Sequence, residues 1–549
     1  MSDEALIQTG TTLFLKFNPK LALVVLGFVV AYLYVTDNRF TTARNGLPMP
    51  PGPPQSFLKV PIGWKSRAKA GAKDAPTYKK FAALNKIYGP IISFYQGSTP
   101  VVVLGTIKAA TELLDKKGSI YSSRPRNIMA GELLSGNMRG LGMPYGQRWR
   151  NYRLVMHAGM NIEASNGYKA LQSLESKILL KDLFLERDSA KYAAHLRRFA
   201  ISIVCFVGYG MRVESLDDPI VVSQQAADEC LTRMSVPGQY IVESWPILLK
   251  LPKFMQWFRR EPLAQRARDT ELYMGLMESV RARLSRGEAP PSVATRALEK
   301  QATFGLTDLE TAYALSAPFA AGVGSTLAVL DVFFLAMLHY PEVMKKAQAE
   351  IDSVVGEGRL PEFEDADSLP YVKAIVKETL RWKPIAPHGV PHSVIADDVY
   401  EDKYFIPRGS TVIANVYSMS KDEEAFPSAN EFKPERSLND NGPSSSSSSS
   451  SSMFFFGFGR RICPGMHIAQ NSLFIVIIRI LWAYNVVLQK DAGGNPVPMP
   501  DVDDLVGGLV VRPRNVPFYL EDRRRGTSVA GLVLEEGRKA EEEVKSFMM

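Results

Sequence analysis

The segment that decides the fold runs from Phe456 to Gly465 and reads FGFGRRICPG. Phe456, Gly459, Arg461, Cys463 and Gly465 occupy the fixed positions of the pattern F-x-x-G-x-R-x-C-x-G. The glycines permit a tight turn beneath a flat cofactor, and such a loop can direct peptide N–H groups toward a thiolate. Arg461 can pair with a carboxylate of the cofactor. The alternative, a buried cysteine in a glycine-rich turn, is disfavoured because five fixed residues at fixed spacing rarely coincide.

The composition is that of a globular protein with a large core. The chain has 549 residues, 46% hydrophobic and 22% charged, with a net charge of +8. Its cysteines are few and odd in number (Cys205, Cys230 and Cys463), which argues against a disulfide framework. No zinc pattern and no basic cluster interleaved with aromatics occurs, so zinc and nucleic acid are disfavoured. The positive charge fits either a solvated surface or a face that meets anionic lipid or an acidic protein.

The N-terminus predicts a membrane anchor. Residues 21–35 read LALVVLGFVVAYLYV, and extension back to residue 13 reaches the length of about 20 residues that spans a bilayer. No small-residue cleavage site follows, so a retained anchor in residues 1–46, with its helix at about 13–35, is favoured over a cleaved signal peptide. Residues 47–54, LPMPPGPP, predict a stiff Pro-rich hinge between the anchor and the globular body.

The middle of the chain predicts a mainly α protein with a minor β portion, an α+β fold. Its clearest helix begins near Thr307, which opens a T-x-x-E capping box, and runs to Pro341. Pro318, Gly322 and Gly324 weaken this helix, which favours close approach of something flat and bulky over plain helix packing. Short β-like runs occur at 100–105, 403–416 and 508–519.

With these features on one chain, the sequence resembles the cytochrome P450 monooxygenases, of the membrane-bound microsomal type and most like fungal members. The resemblance runs from the anchor to about Arg523. It implies the cytochrome P450 fold with a long central helix over the haem, and haem b (iron protoporphyrin IX) whose iron takes the Cys463 thiolate as axial ligand. We expect a haem-thiolate catalytic domain at 55–523, a Ser-rich insertion at 444–452, and a charged C-terminal tail at 524–549 that forms a frayed helix or is disordered.

Further motifs follow in the order that the family has. By resemblance, Trp149 and Arg153, from a W-x-x-x-R pattern, hold a haem propionate. His392 is similar in position to another propionate partner, with an ordinary surface or core histidine as the alternative. The family joins three further charged residues in a buried ion network behind the haem, here Glu378, Arg381 and Arg436. Such a network is costly unless every charge is satisfied, so we interpret these residues as structural.

The central helix carries the sequence AGVGST, which begins at Ala321 and stands where the family has A-G-x-D/E-T-T/S. The resemblance implies that Ala321 and Gly322 adjoin the haem and that the helix roofs an oxygen pocket. Gly324 replaces the usual acid, which leaves the proton-delivery route open. Ser325 replaces the usual threonine and keeps a hydroxyl that can serve as the catalytic group, assisted by Thr326 or water.

The function implied is insertion of one oxygen atom from O2 into a lipophilic small molecule, such as hydroxylation in terpenoid or other secondary metabolism. Electrons would come from NADPH through a separate NADPH–cytochrome P450 reductase, with cytochrome b5 as a further candidate partner. The location would be the endoplasmic reticulum membrane, with a single-pass anchor and a catalytic domain that faces the cytosol. Two alternatives stay open: an isomerase or dehydratase that does not use O2, and a non-catalytic haem-binding protein. By family position, the substrate pocket is lined by 128–141, 319–325, 387–390 and 506–509.

Overall fold

The computed structural model describes most of the predicted catalytic domain and the C-terminal tail. The predicted anchor helix at about 13–35 and residues 444–450 of the predicted Ser-rich insertion lie outside the described residues. The ranges described are 46–54, 75–186, 188–236, 238–438, 451–523 and 527–547.

The first half of the described chain is almost entirely helical. Two single π-helical turns, Thr111–Lys116 and Ile128–Leu134, interrupt the α-helices. The α-helices in this half are α1 (Thr77–Tyr88), α2 (Ile107–Ala110), α3 (Gly118–Tyr121), α4 (Gln147–Met160), α5 (Ile162–Gly167), α6 (Lys169–Leu185), α7 (Tyr192–Tyr209), α8 (Pro219–Met234), α9 (Ile241–Ser244) and α10 (Arg260–Ser285).

The second half contains the helices that pack at the centre of the molecule. Their apolar faces meet in one continuous core that also takes residues from α4, α6 and α7. The helices are α11 (Val293–Glu299), α12 (Gln301–Phe304), α13 (Asp308–Leu315), α14 (Ala317–His339), α15 (Pro341–Val354), α16 (Pro370–Trp382), α17 (Val416–Ser420), α18 (Met466–Ala483) and α19 (Thr527–Phe547).

Strands form one four-stranded sheet and three small two-stranded ribbons. The larger sheet has the order β1-β2-β6-β3, in which only the β2–β6 pair is parallel. The ribbons pair β4 with β5, β7 with β10, and β8 with β9. The strands are β1 (Ile91–Gln96), β2 (Thr99–Leu104), β3 (His392–Ser393), β4 (Asp398–Tyr400), β5 (Tyr404–Ile406), β6 (Thr411–Ala414), β7 (Tyr484–Leu488), β8 (Leu505–Gly507), β9 (Val511–Pro513) and β10 (Phe518–Asp522). The mainly α prediction with a minor β portion is confirmed.

The predicted long central helix is two segments, α13 and α14, that follow one another with a break at Ser316. Thr307 caps α13 in the predicted capping box with Glu310. The break has a simple cause, since Pro318 lacks an N–H and its ring crowds the preceding turn. Within the described residues, α13–α14 and α18 are long and apolar enough to cross a membrane, but both are mostly buried in the core.

Three residues of the Pro-rich hinge are hydrogen-bonded to the globular body. The amide of Ser93 in β1 donates to the Pro51 carbonyl at 2.9 Å, and the Ser93 hydroxyl donates to Pro50 at 2.5 Å. The Phe405 amide in β5 donates to the Pro48 carbonyl at 2.8 Å. Backbone hydrogen bonds to two strands therefore fix how the chain enters the globular body.

The C-terminal tail differs from the expected frayed or disordered segment. Residues Thr527–Phe547 form the helix α19, and its apolar residues Val529, Val533, Ala540 and Val544 are buried against the body. Their spacings of four, seven and four residues place them on one helix face, and the charged residues occupy the other. The apolar stripe packs on α6. Because the tail is highly charged, this narrow stripe was not apparent from the sequence.

Candidate functional site

The loop that carries Cys463 lies between a short 3-10 turn at Gly459–Arg461 and the start of α18. The Cys463 amide donates to the Phe456 carbonyl at 2.9 Å and closes the loop. Gly459 has φ +54°, and a Cβ at this position would stand 2.1 Å from the Leu114 carbonyl oxygen. A side chain here would strain the backbone and push two segments apart, which explains one fixed glycine of the motif.

The Cys463 thiol is half-buried and deep in the fold. Desolvation raises the pKa of the Cys463 thiol, while the Gly465 amide and the charge of Arg153 lower it. The amino end of α18, which begins at Met466, adds the positive end of a helix dipole. The sulfur therefore faces fixed donors, and a bound cation would complete the stabilisation of its thiolate.

Arg461 is held by backbone oxygens and an aromatic ring. Its three guanidinium nitrogens donate to the carbonyls of Ser122 (2.7 Å), Gly140 (3.0 Å) and Met143 (2.6 Å). The guanidinium carbon lies 4.2 Å from the centre of the Trp149 ring. Burial and, secondarily, the charge of a neighbouring arginine lower the pKa of Arg461 to about 9. The two predicted haem-binding residues, Arg461 and Trp149, are thus stacked on each other.

Arg124 is the neighbouring arginine, and sequence reasoning did not identify it. Its side chain donates to the carbonyls of Leu141 (3.0 Å), Val390 (2.7 Å) and Pro391 (2.8 Å). The residue is only 7% exposed, and burial lowers the pKa of Arg124 to about 9. Nothing in its local sequence marks it, because its partners come from two distant segments. A buried arginine with carbonyl partners only is a strong attractor for an anion.

His392 lies in β3 beside this pair of arginines. Its Nδ1 is 2.7 Å from the Tyr121 carbonyl oxygen, and the ring is buried. Burial, followed by the charge of Arg124, lowers the pKa of His392 to about 3, while the Tyr121 carbonyl acts in the opposite direction. A neutral ring with Nδ1–H bound to a carbonyl leaves Nε2 for a second partner.

Arg153 completes the cluster from the side of α4. Burial lowers its pKa, and the Cys463 and Tyr152 side chains are the groups that raise it. Among the residues that the structure describes, no carboxylate pairs with Arg124, Arg153 or Arg461. Three desolvated guanidinium groups close together raise the free energy of the fold when no anion lies between them. A negatively charged group in that space would lower this cost.

The side-chain set around Cys463 fits a haem. Such a group brings two carboxylates, which would neutralise the uncompensated charge of the arginine cluster formed by Arg124, Arg153 and Arg461. It also brings an iron that accepts a thiolate ligand, which Cys463 can supply. The Trp149 ring N–H lies next to the same arginines and can donate to a carboxylate. The neutral His392 ring uses its Nδ1–H on the Tyr121 carbonyl, so its Nε2 can only accept a hydrogen bond there, for example from a bridging water.

The middle of α14 presents an open surface inside the fold. Ala321 and Gly324 are exposed, whereas Ala328, one turn later, is fully buried. A Cβ on Gly324 would meet nothing within 4 Å. Gly322 instead packs against α7, where an added Cβ would come within 2.4 Å of the Val204 side chain, so its role here is helix packing. A groove therefore runs along the part of α14 where the sequence departs from the family pattern.

Two hydroxyl residues follow the groove, and the next acid lies further along the helix. The Ser325 hydroxyl donates to the Ala321 carbonyl at 2.7 Å, and Thr326 is half-buried beside it. The next carboxylate on α14, Asp331, pairs with Arg512 of β9 at 2.9 Å. Burial raises the pKa of Asp331 to about 6. Asp331 lies two helical turns from Gly324, about 10 Å along the axis, so it does not occupy the position of the missing acid.

Glu378 and Arg381 of α16 form a tight buried pair behind the Cys463 loop. Two guanidinium nitrogens of Arg381 donate to the Glu378 carboxylate at 2.7 and 2.8 Å, and the guanidinium also donates to backbone carbonyls, including that of Ser420. The Lys433 amide donates to Glu378 at 2.9 Å. Arg436 lies at the edge, with its Nε 3.4 Å from Glu378. The pair is therefore fully satisfied, and Arg436 contributes a longer, weaker contact.

Comparisons with known proteins agree with this geometry. A sequence profile of the family described as Cytochrome P450 matches residues 50–516. The chain is 38% identical to Cytochrome P450 monooxygenase 58 of Postia placenta over 89% of this chain and 91% of that protein. It is also 38% identical to a cytochrome P450 monooxygenase of Armillaria gallica, over 83% and 87%. The fold is similar to that of a zebra fish cytochrome P450 solved with progesterone, with a TM-score of 0.69 and 23% identity over 82% of this chain and all of that one.

We expect Arg381→Met to destabilise the protein severely, because it leaves the Glu378 carboxylate buried with only a weak cationic partner. The free energy of unfolding should fall by about 3–5 kcal/mol. Arg436→Met is the matched control and should cost about 1 kcal/mol, since that contact is longer and other donors satisfy Glu378. Urea denaturation followed by tryptophan fluorescence measures both variants. Equal losses would contradict this division of the network.

Proposed function

Since this chain belongs to the cytochrome P450 family of monooxygenases, we propose that Cys463 is the axial haem ligand of an enzyme that oxidises a lipophilic small molecule at a membrane. The observation that carries the proposal is the arginine cluster beside Cys463, with Arg124 buried and Arg153 and Arg461 half-buried, which has no carboxylate partner among the described residues. Bound haem supplies the activation of O2, and thiolate ligation favours O–O cleavage. All other steps are tasks of the polypeptide.

The chain binds and orients the cofactor through its own charges. Arg124, Arg153 and Arg461 would pair with the two haem carboxylates, and Trp149 would add a neutral donor, while the His392 Nε2 would accept a hydrogen bond from a water between them. Because Arg461 is already fixed by three carbonyls, it loses little freedom on binding. The predicted catalytic pair, Ser325 and Thr326, stands next to the open groove at Gly324. The Ser325 hydroxyl can accept a hydrogen bond from water in that groove and pass a proton onward.

The charges in the predicted substrate pocket support an apolar substrate. The four predicted lining segments contain only two ionisable acids or bases besides His388, namely Glu132 and Arg139. Glu132 pairs with Arg126 at 2.5 Å, and Arg139 pairs with Asp269 at 3.0 Å. A pocket whose charges are already neutralised by protein partners selects for lipophilic compounds. We propose a terpenoid or another secondary metabolite as the substrate class.

A basic surface next to the haem ligand supports an acidic electron donor. Arg150 and Arg460 are exposed, and both guanidinium groups lie over the Tyr145 ring, at 5.6 and 5.3 Å from its centre. In the described part of the chain neither arginine has a carboxylate partner. Arg460 precedes Cys463 by three residues, so this surface adjoins the loop that carries the proposed iron ligand. We propose that NADPH–cytochrome P450 reductase docks here, with cytochrome b5 as a second candidate.

An exposed apolar patch between α8 and α10 supports contact with lipid. Trp245, Phe254 and Trp257 are 62%, 82% and 61% exposed, and Ile241 and Ile247 lie close to them in the chain. Soluble surfaces rarely leave so many large apolar side chains together in water. We propose that this patch and the predicted anchor at about 13–35 hold the protein on the endoplasmic reticulum membrane. The catalytic domain would then face the cytosol.

The haem assignment is tested by the spectrum of the reduced protein with carbon monoxide. The wild-type protein should show a strongly red-shifted Soret band, because the ligand opposite carbon monoxide is a thiolate. Cys463→Ala should lose that band. Cys205→Ala is the matched control, since this cysteine is buried in the helical core away from the site, and it should keep the band. A wild-type band typical of histidine ligation would contradict the proposal.

The docking surface is tested by charge reversal. Arg150→Glu with Arg460→Glu should lower reductase-supported turnover by roughly tenfold or more at low ionic strength, because an acidic partner would be repelled. Turnover driven by an organic peroxide needs no electron donor and should stay within about twofold of wild type. Arg286→Glu, at the exposed end of α10, is the control. Equal losses in the reductase and peroxide assays would show a general defect instead of a docking defect.

Lipid contact is tested by fluorescence quenching in the full chain bound to vesicles with brominated acyl chains. Trp245 and Trp257 should be quenched because they lie in the exposed apolar patch. Replacement of both by Phe should remove most of the quenchable emission. Trp482→Phe, in the fully buried core, should leave the quenched fraction unchanged. Quenching that survives the double replacement would argue against this patch as the lipid contact.

A further inference from the structure

The C-terminal helix α19 lies beyond the residues that the family profile matches, which end at 516. It nevertheless packs as closely as an internal helix. Gly537 approaches α6 so tightly that a Cβ would stand 2.5 Å from the Cβ of Lys181. The Lys181 ammonium then pairs with Glu541 one turn later on α19. An apolar stripe, a close glycine contact and an ion pair thus join α19 to α6.

A neighbouring face of α6 holds α18, the helix that begins three residues after Cys463. The Gln172 side-chain amide on α6 donates to the Ile468 carbonyl at 2.9 Å and to the Ser472 hydroxyl at 2.7 Å. The Arg479 guanidinium on α18 donates to the Ser173 carbonyl at 2.5 Å. Helix α6 is therefore clamped between α18 and α19, and its position influences both.

A chain of alternating charges crosses this clamp. Glu536 of α19 pairs with Lys177 of α6 at 3.0 Å, and Lys177 pairs with Glu362 at 3.0 Å. Glu362 pairs in turn with Arg479 of α18 at 2.8 Å. Arg479 is only 1% exposed, so it depends on this carboxylate for its counter-charge. Two cations and two anions balance only when α19 contributes Glu536.

We propose that α19 is a strap that holds α6 against α18, and that Lys177 and Glu536 are positioning residues for the Cys463 thiolate. The proposal rests on the proposed function, in which Cys463 binds the haem iron. A helix moves as a rigid rod. A shift of α6 would displace Arg479 on α18, and α18 would carry that displacement to the loop at its amino end. A metal ligand needs its position held within about 0.5 Å, which makes the thiolate bond the first property to suffer.

The experiment compares the loss of thiolate ligation with the loss of the fold in the full-length holoprotein. The variants are Lys177→Met and Glu536→Gln. The matched controls are Lys177→Arg, which keeps the charge, and Glu542→Gln, on the exposed face of α19. In mild urea, the red-shifted carbon monoxide band reports ligation and far-UV circular dichroism reports the fold. The rate of band loss should rise roughly three- to tenfold in both variants, while the circular dichroism stays at the wild-type value. Both controls should match wild type.

Each outcome decides the proposal. If band loss and loss of circular dichroism stay coincident in every variant, α19 only stabilises the fold and the positioning role is wrong. If Lys177→Met and Glu536→Gln behave as wild type, the charge chain has no role. The double variant should be no worse than Lys177→Met alone, because Glu536 acts through Lys177, which also pairs with Glu362. A wild-type protein without the red-shifted band would instead reject the haem assignment itself.

Discussion

The structure depends most on a set of desolvated positive charges that no carboxylate in the described part of the chain neutralises. Arg124, Arg153 and Arg461 converge beside Cys463, and their described partners are carbonyls or none. Buried cations without anions are too costly to keep for stability alone. The fold therefore holds electrostatic energy that a flat, dianionic cofactor would release on binding. Burial and, secondarily, the charges of Arg124 and Arg461 also lower the pKa of His392 next to them.

Helices α14 and α18 provide the other parts of the candidate site beside the arginine cluster. The loop before α18 presents the sulfur, and the open middle of α14 leaves space for a cofactor and a small ligand. Behind them, the Glu378–Arg381 pair ties α16 to the carbonyls of the following loops, so the floor of the site is rigid. Lys177 and Glu362 extend the rigid frame from α18 through α6 to the C-terminal helix. A site built on such rigid elements keeps its geometry better than one built on free loops.

The chain also separates its surfaces by chemistry. An exposed basic pair, Arg150 and Arg460, lies next to the sulfur loop, and an exposed aromatic patch lies between α8 and α10. Charged surfaces steer an encounter over a distance, whereas apolar surfaces bind only on contact. The proposed electron donor and the proposed membrane contact therefore use surfaces of different chemistry. At Gly324 the groove is open where an acid side chain would otherwise stand, and we propose that this departure affects the route of protons.

The sequence alone determined the family and the helical class of the fold, and it predicted Cys463 as the sulfur ligand. These follow from local pattern: the fixed spacing around Cys463, the capping box at Thr307 and the apolar periodicity of the core helices. Tertiary structure alone decided the rest. Arg124 belongs to the arginine cluster because it donates to carbonyls more than 200 residues away in the chain. Helix α19 packs on α6, although the charge of the tail suggested a frayed helix or disorder. The physical reason is the same in both cases: desolvation and packing depend on which distant segments meet, and no local pattern encodes that meeting.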